Sequence, residues 1–236
     1  MIARAGRAAR RRLQMAAHRG EAVHCPVCGH GFDRFRDAWN RPGAICWRCG
    51  AHERHRAFAL FLTERPELFA GREVLHFAPE WCLARRLRAA GPARYVTADL
   101  EPGAAELELD LQRLALPDSY ADTVICSHVL EHVPDDRAAM RELERVTRPG
   151  GAALVMVPTD LGREATYEDP SVKGPAQRER AYWQHDHLRL YARDVGERLA
   201  AAGFEVARWN AAERAGTAGA ERLGLLASDD VWVCRR

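Results

Sequence analysis

The chain has 236 residues, 47% of them hydrophobic and 29% charged, which is enough for one α/β domain of ordinary size plus a small appendage; two large domains and general disorder are excluded. Thirty-five Lys and Arg against 33 Asp and Glu leave a formal net charge of only +2, so composition gives no general argument for a nucleic-acid partner. No apolar run approaches the length of a membrane span, and no apolar stretch of the secretory type comes after the start, so a cytoplasmic protein is expected.

The positive charge is local. Arg4, Arg7, Arg10, Arg11, Arg12 and Arg19 stand in the first twenty residues without one acidic residue. Residues 1–22 read as a basic arm, either a solvated helix or an arm that touches phosphate, in nucleic acid or at a membrane surface.

Seven cysteines is an odd number, and four of them fall in two close pairs, which suits metal binding in a reducing compartment better than a disulfide scaffold. Cys25-Pro26-Val27-Cys28 and Cys46-Trp47-Arg48-Cys49, each followed by glycine, have the spacing of a four-thiolate zinc site. Each C-x₂-C presents two thiolates from one tight turn, and Gly29 and Gly50 let the backbone curl so that amides face the sulfurs. A zinc ribbon is therefore expected over 23–54, with Cys25, Cys28, Cys46 and Cys49 as ligands of a structural zinc; iron or a metal-free cluster are the alternatives. His24, His30, His52 and His55 lie nearby, but nothing in the spacing requires them as ligands. Cys82, Cys126 and Cys234 read as buried thiols.

After the ribbon, His55 to Leu68 has helical periodicity and ends at Pro66 and Gly71, so it joins the ribbon to the larger part of the chain. From residue 73 strands and helices alternate, which predicts βαβ units and a mainly parallel sheet over 55–236. Strands are expected at Val74–Phe77, Tyr95–Ala98, Glu106–Leu109, Thr123–Cys126, Ala153–Val157, Phe204–Trp209 and Val231–Cys234. Helices are expected at Leu83–Ala90, Asp136–Thr147 and Ala192–Ala202, the second ending at Pro149-Gly150-Gly151. No internal repeat is found.

The first of these strands runs into the turn Leu75-His76-Phe77-Ala78-Pro79-Glu80, which contains no glycine. About twenty residues on, Asp99 ends the second strand, where Rossmann-like folds bind ribose hydroxyls; a strand-ending aspartate also caps turns. Three further stretches carry a specific signal: Asp110 to Asp118, Ala121 to Val133 with the run His128-Val129-Leu130-Glu131-His132, and Glu142 to Gly151 with Arg148-Pro149-Gly150-Gly151. In order and spacing they closely resemble the "methyltransferase domain 11" family of class I S-adenosylmethionine-dependent methyltransferases. The chain looks like a branch in which a cysteine-rich module precedes the Leu75 to Glu80 turn and a stretch Glu168-Asp169…Asp186-His187 with Arg189 and Tyr191 comes later.

That resemblance implies a Rossmann-like sheet of seven strands, mainly parallel, with helices on both faces. It puts the cofactor S-adenosylmethionine against His76, Phe77, Ala78 and Glu80, the ribose on Asp99 beside Leu100, and the adenine beside Asp110 and Leu111. Glu80 either binds the cofactor's amino group or sits in the first turn of the next helix, where a negative charge is favoured.

Methyl transfer to O or N is an in-line displacement that needs alignment and, for a protonated acceptor, a base. His128 comes after the fourth strand at its carboxyl end, where open α/β sheets bind ligands, and is the first candidate; Glu131 and His132 lie within a helical turn, and the whole run also reads as packing and capping. The second cluster is Gln184-His185-Asp186-His187-Leu188-Arg189, in a long insertion without periodicity. There Asp186 and His187 are candidates to orient or deprotonate the acceptor and Arg189 to hold an acidic one, with metal binding as the alternative. The insertion leaves the carboxyl edge of the sheet, so His128 and His187 are expected in one pocket.

The leading expectation is a methyltransferase acting on O or N of a small molecule or sugar. An RNA methyltransferase, with Arg54 and Arg56 extending the basic arm, is the runner-up; a methyltransferase-fold binding protein without chemistry is the opposing reading.

Overall fold

The computed structural model describes residues 13–38 and 41–236; the basic arm before residue 13 lies outside them. Two antiparallel hairpins come first, β1 (Arg19–Cys25) with β2 (His30–Phe32), and β3 (Arg36–Ala38) with β4 (Arg41–Ile45). The first hairpin thus starts at Arg19, inside the stretch read from sequence as the arm.

Helix α1 (Glu53–Glu64) is shorter than the predicted 55–68. It ends before Arg65 because the next residue, Pro66, disfavours helical backbone at the position ahead of it, and Pro66–Leu68 forms a single 3₁₀ turn. Ala57, Phe58, Ala59, Phe61 and Leu62 are all buried, because the ribbon covers one side of α1 and the sheet the other. Arg56, expected on an exposed basic surface, is fully buried instead. It donates to the carbonyls of Ala44 (2.8 Å), Ala51 (3.1 Å) and Gly224 (2.6 Å), and its guanidinium lies 4.1 Å from the centre of the Phe35 ring. A buried cation is tolerable only with that many partners, so Arg56 is a clamp between ribbon, α1 and the C-terminal part.

The predicted seven strands are present: β5 (Glu73–Phe77), β6 (Arg94–Asp99), β7 (Leu107–Glu108), β8 (Ala121–Ser127), β9 (Thr147–Met156), β10 (Glu205–Asn210) and β11 (Asp230–Arg235). They form one sheet in the order β10-β11-β9-β8-β5-β6-β7. Pairings from β9 to β7 are parallel, and β11 runs antiparallel between β9 and β10. Alternation along the strands divides the core: Val74, Ile125, Leu154 and Val231 face α1 and α2 (Trp81–Ala89), whereas Leu75, Val124, Val155 and Cys234 face α3 (Asp136–Val146) and α5 (Val195–Ala200). Cys82, Cys126 and Cys234 are buried thiols, as their neighbours in sequence predicted.

Several boundaries move. Helix α3 opens on Asp135, whose carboxylate accepts from Ala138 N (2.9 Å), and stops at Val146, not at the Pro149-Gly150-Gly151 turn. The chain instead enters β9 at Thr147, with a register shift against β8, and a Cβ at Gly151 would stand 2.4 Å from Asp122 O, so glycine is required there. The helix expected at 192–202 is confined to α5, because Tyr191 bridges to Thr159 and the carboxylate of Asp194 accepts from Thr166. Two helices were not anticipated. Helix α4 (Pro175–Tyr182) lies inside the insertion, and α6 (Ala211–Leu223) is broken at Gly216 (φ 67°), which together with Gly219 lowers its helix propensity.

Candidate active site

The two cysteine turns behave alike. Gly29 N donates to Cys25 O (2.8 Å) and Gly50 N to Cys46 O (3.0 Å), with both glycines at positive φ (69° and 71°). The four Sγ atoms lie within 4.8 Å of one another, with Cys25 and Cys49 3.6 Å apart and Cys28 and Cys46 3.7 Å apart. Thiolates around a tetrahedral zinc at 2.3 Å stand about 3.8 Å apart, so the donor set fits a closed four-coordinate site with no position for water. Beside it, between ribbon and α2, is a cavity of about 600 Å³ lined by Cys28, Cys49, Trp81 and Arg85; among the described residues that line it there is no histidine or carboxylate.

Chemistry is concentrated at the carboxyl edge of the sheet, where a second cavity of about 540 Å³ opens beyond β8 and β9. Four parts of the chain wall it: Arg41 from the ribbon, Arg54 from α1, His128, Glu131, His132 and Pro158 from the strand ends, and Trp183, Gln184 and His187 from the insertion. His128 and His187 do line one cavity. His128 takes a left-handed backbone (φ 54°), costly for a non-glycine residue, as it leaves β8 with its N–H on Met156 O (2.8 Å).

Glu131 is wholly buried behind His128, with Oε1 3.2 Å from His128 Nδ1. Burial pushes the Glu131 carboxyl up, but the hydrogen bond and charge of His128 outweigh it and hold the group below the ordinary carboxylate range. An ionised Glu131 needs the proton on His128 Nδ1, which leaves the lone pair on Nε2. Likewise His187 Nδ1 donates to the Tyr182 carbonyl (2.9 Å), leaving Nε2 as its lone-pair nitrogen.

The other polar groups of the insertion hold the wall in place. Asp186 is outside the cavity, with Oδ2 3.3 Å from His132 Nδ1 and Oδ1 accepting from Gln184 (2.9 Å), so any part it takes runs through His132. Arg189, expected to meet an acidic substrate, is buried and donates to the carbonyls of Leu130, Val133 and Pro134 while pairing with Asp136 and Glu168. Its charge is spent on the backbone that carries Glu131 and His132. Asp169 accepts from Ser171 N and Oγ (2.8 and 2.7 Å) and organises its own turn.

At the first strand the turn is made without glycine by Ala78 at φ 46°, whose N–H donates to Ala98 O (2.8 Å). The side chains of His76, Phe77 and Leu111 are buried in the core, so only their backbone is available to a ligand. Glu80 stands at the N-cap of α2 with its carboxylate between His55 Nε2 and His76 Nε2, both at 3.3 Å. His52 N–H donates to His55 Nδ1 (3.0 Å), and Tyr95 OH lies 2.8 Å from His76 Nδ1, which leaves both Nε2–H groups for Glu80. Burial opposes ionisation of Glu80, yet the two histidines hold its carboxyl well below the usual range. Asp99 caps the end of β6, with Oδ1 accepting from Glu101 N (2.9 Å) and Oδ2 left for a ligand; Asp110 caps Gln112 N in the same way, and Leu100 is exposed.

Sequence reading missed Arg41, Trp183 and the His55–Glu80–His76 contact. Arg41, Trp183 and His55 come from segments tens of positions from the residues they meet, and no local spacing signals that convergence, while His76 and Glu80, four residues apart, are brought together by the turn at Ala78.

Residues 82–155 match the family model described as methyltransferase domain. The ubiquinone/menaquinone biosynthesis C-methyltransferase UbiE of Caulobacter vibrioides is 49% identical over 47 residues, 20% of this chain and 19% of that protein. The demethylmenaquinone methyltransferase of Mycolicibacterium paratuberculosis is 29% identical over 164 residues, 61% of this chain and 68% of that protein. The chain thus spans about a fifth of the length of the first relatives it matches and about two thirds of the longer match. Among solved structures, the [4+2]-cyclase SpnF has the same fold at a TM-score of 0.55, 17% identity and 85% and 84% coverage of the two chains.

Proposed function

We propose that this chain, whose residues 82–155 match a methyltransferase domain, transfers a methyl group from S-adenosylmethionine to an O or N atom of a polar small molecule or sugar held in the 540 Å³ cavity. One observation carries the reading: a histidine with its lone pair on Nε2, backed by a buried carboxylate, lines a cavity at the strand ends where this fold binds ligands. The fold by itself does not fix the chemistry, since the [4+2]-cyclase SpnF shares it.

The residues present fit the cofactor at two points. The free oxygen of Asp99 suits a ribose hydroxyl, and the left-handed turn at Ala78 gives access to backbone beside the strand end. Asp99, the Phe77 to Glu80 backbone and the Asp110 turn would hold the group; when bound it supplies an activated methyl. Glu80, drawn to His55 and His76, positions α1 against the turn. His128 Nε2 accepts the proton of the acceptor hydroxyl or amine, and Glu131 steadies the imidazolium that forms, a role worth about 10²–10⁴ in rate. Arg41 and Arg54, each beside a carboxylate (Glu53 at 3.5 Å and Glu80 at 4.0 Å), add hydrogen-bond donors to the cavity wall rather than net positive charge.

The two relatives above are, by name, a ubiquinone/menaquinone biosynthesis C-methyltransferase and a demethylmenaquinone methyltransferase. The cavity supports a different acceptor, because apart from Pro158 and Trp183 its named lining is charged or hydrogen-bonding, a poor match for an apolar quinone tail. In the ribbon the four thiolates support a structural zinc.

Calorimetry with S-adenosylmethionine and S-adenosylhomocysteine tests the reading: both are expected to bind. A folded, zinc-loaded protein that binds neither overturns it and leaves a binding protein on a methyltransferase fold.

A further inference from the structure

The carboxylate of Glu131 is fully buried; Oε1 lies 3.2 Å from His128 Nδ1, while Oε2 has no hydrogen-bond partner among the described residues. A buried charge left this way costs several kcal/mol unless something else neutralises it. Beside it stand the rings of His132 and His187, 4.8 Å apart and nearly perpendicular. One donor atom from each of Glu131, His132 and His187 lies within 4.8 Å of the others.

Both imidazoles are turned by partners on their far side. His187 gives its Nδ1–H to the Tyr182 carbonyl, and His132 directs Nδ1 at the Asp186 carboxylate, so each keeps Nε2 for a ligand. This is the arrangement of metal-bound histidines, whose second nitrogen almost always donates to a carbonyl or carboxylate that fixes tautomer and ring angle. Two histidines and one carboxylate also leave coordination positions open, and here they open on the 540 Å³ cavity. The cations on the same wall are compensated: Arg41 lies 3.5 Å from Glu53 and Arg54 4.0 Å from Glu80.

We propose that Glu131, His132 and His187 bind a first-row divalent cation, as an open site distinct from the closed cysteine site of the ribbon. Asp186 and the Tyr182 carbonyl are its outer supports. The bound cation neutralises Glu131 and presents its remaining positions to the acceptor in the cavity. This inference does not rest on the methyl-transfer reading, because its test needs no cofactor.

The full chain is stripped of labile metal with EDTA and titrated with Co²⁺ and Zn²⁺, with metal counted by elemental analysis. Two equivalents are expected: one held by thiolates, resistant to the chelator and counted as zinc by elemental analysis, and one labile, filled by Co²⁺ with only weak visible bands and no sulfur-to-cobalt charge transfer. Asp186→Asn, an exposed and conservative change, should weaken the labile site about 10- to 100-fold. His187→Ala and Glu131→Gln should abolish it while the thiolate site, an internal control of folding, remains filled. A single equivalent in the wild type overturns the proposal, as does a labile equivalent that keeps its affinity in Asp186→Asn and His132→Ala, both of which alter side chains that are at least partly exposed.

Discussion

The ribbon and the cavity wall are two clusters of donor side chains held in opposite ways. In the ribbon, all four sulfurs come from two four-residue turns and face only one another. At the cavity, histidines and a carboxylate come from a strand end and an insertion more than fifty residues apart, and open space lies in front of them. Each cluster leans on one buried arginine: Arg56 ties ribbon carbonyls to Gly224, and Arg189 ties the insertion to the carbonyls of Leu130, Val133 and Pro134. The difference teaches that a closed cluster serves stability, while an open one is held in position for something that enters it.

The largest effect should come from the closed cluster. With Cys46→Ser the chain should no longer bind the zinc proposed for its four thiolates, and because ribbon, α1 and sheet share one core, about 5 kcal/mol or more of stability should go with it. At about 2–4 °C per kcal/mol for this size, Tm should fall by roughly 10–20 °C, read by thermal unfolding beside zinc analysis. An unchanged Tm would mean the ribbon is an appendage rather than part of the core.

The arginine parallel is sharpened by Arg56→Met and Arg189→Met. Each strands carbonyls in a buried setting and should cost about 3–5 kcal/mol in urea unfolding. Only Arg189→Met should also loosen ligand binding at the cavity; equal effects of both on binding would erase the distinction.

His128→Ala should lower kcat about 10²–10⁴-fold with zinc content and fold unchanged, measured as methyl transfer under saturating cofactor. Retained activity would move the base elsewhere, with His187 the next to test. Asp99→Ala should weaken S-adenosylhomocysteine binding by about 10- to 100-fold in calorimetry, the value of hydrogen bonds from hydroxyls to a charged group. Unchanged affinity would show that Asp99 only caps its turn.

The smallest effect is a pH dependence at the junction of the two regions. Burial lowers the pKa of His55 from its ordinary 6.5, and Glu80 is held below the carboxylate range by the two histidines. Both groups are therefore harder to protonate in the folded chain, so the unfolded chain takes up protons first as pH falls. Stability present at neutrality should fall below about pH 6.5 for His55, and again below the carboxylate range for Glu80. Urea unfolding between pH 7.5 and 5 should show a loss on the order of 1 kcal/mol that His55→Gln reduces. An identical slope in the variant would show that His55 titrates as in water.

Legibility depended on range along the chain. The cysteine turns, the strands β5 to β11 and the position of His128 at a strand end could be read because each depends on spacing within a few residues or on period-two burial. Arg189 and Arg56 were misread because an arginine in sequence carries no sign of whether its guanidinium will meet a substrate or a set of buried backbone carbonyls. Helix α6 was missed because Gly216 and Gly219 lower its helix propensity and Gly216 breaks it.

The sequence by itself determined the class of fold, the four-thiolate turns and which strand ends carry histidines, since these arise from local periodicity and from turns that glycine permits. Only the tertiary structure decided that the ribbon's Arg41 and the link helix's Arg54 wall the same cavity as His128 and His187, and that Asp186 stands behind His132 rather than beside the acceptor. Those placements depend on how α1 is gripped between ribbon and sheet and how the insertion folds back over the strand ends. Packing of segments distant in the chain sets both, and no local pattern encodes it.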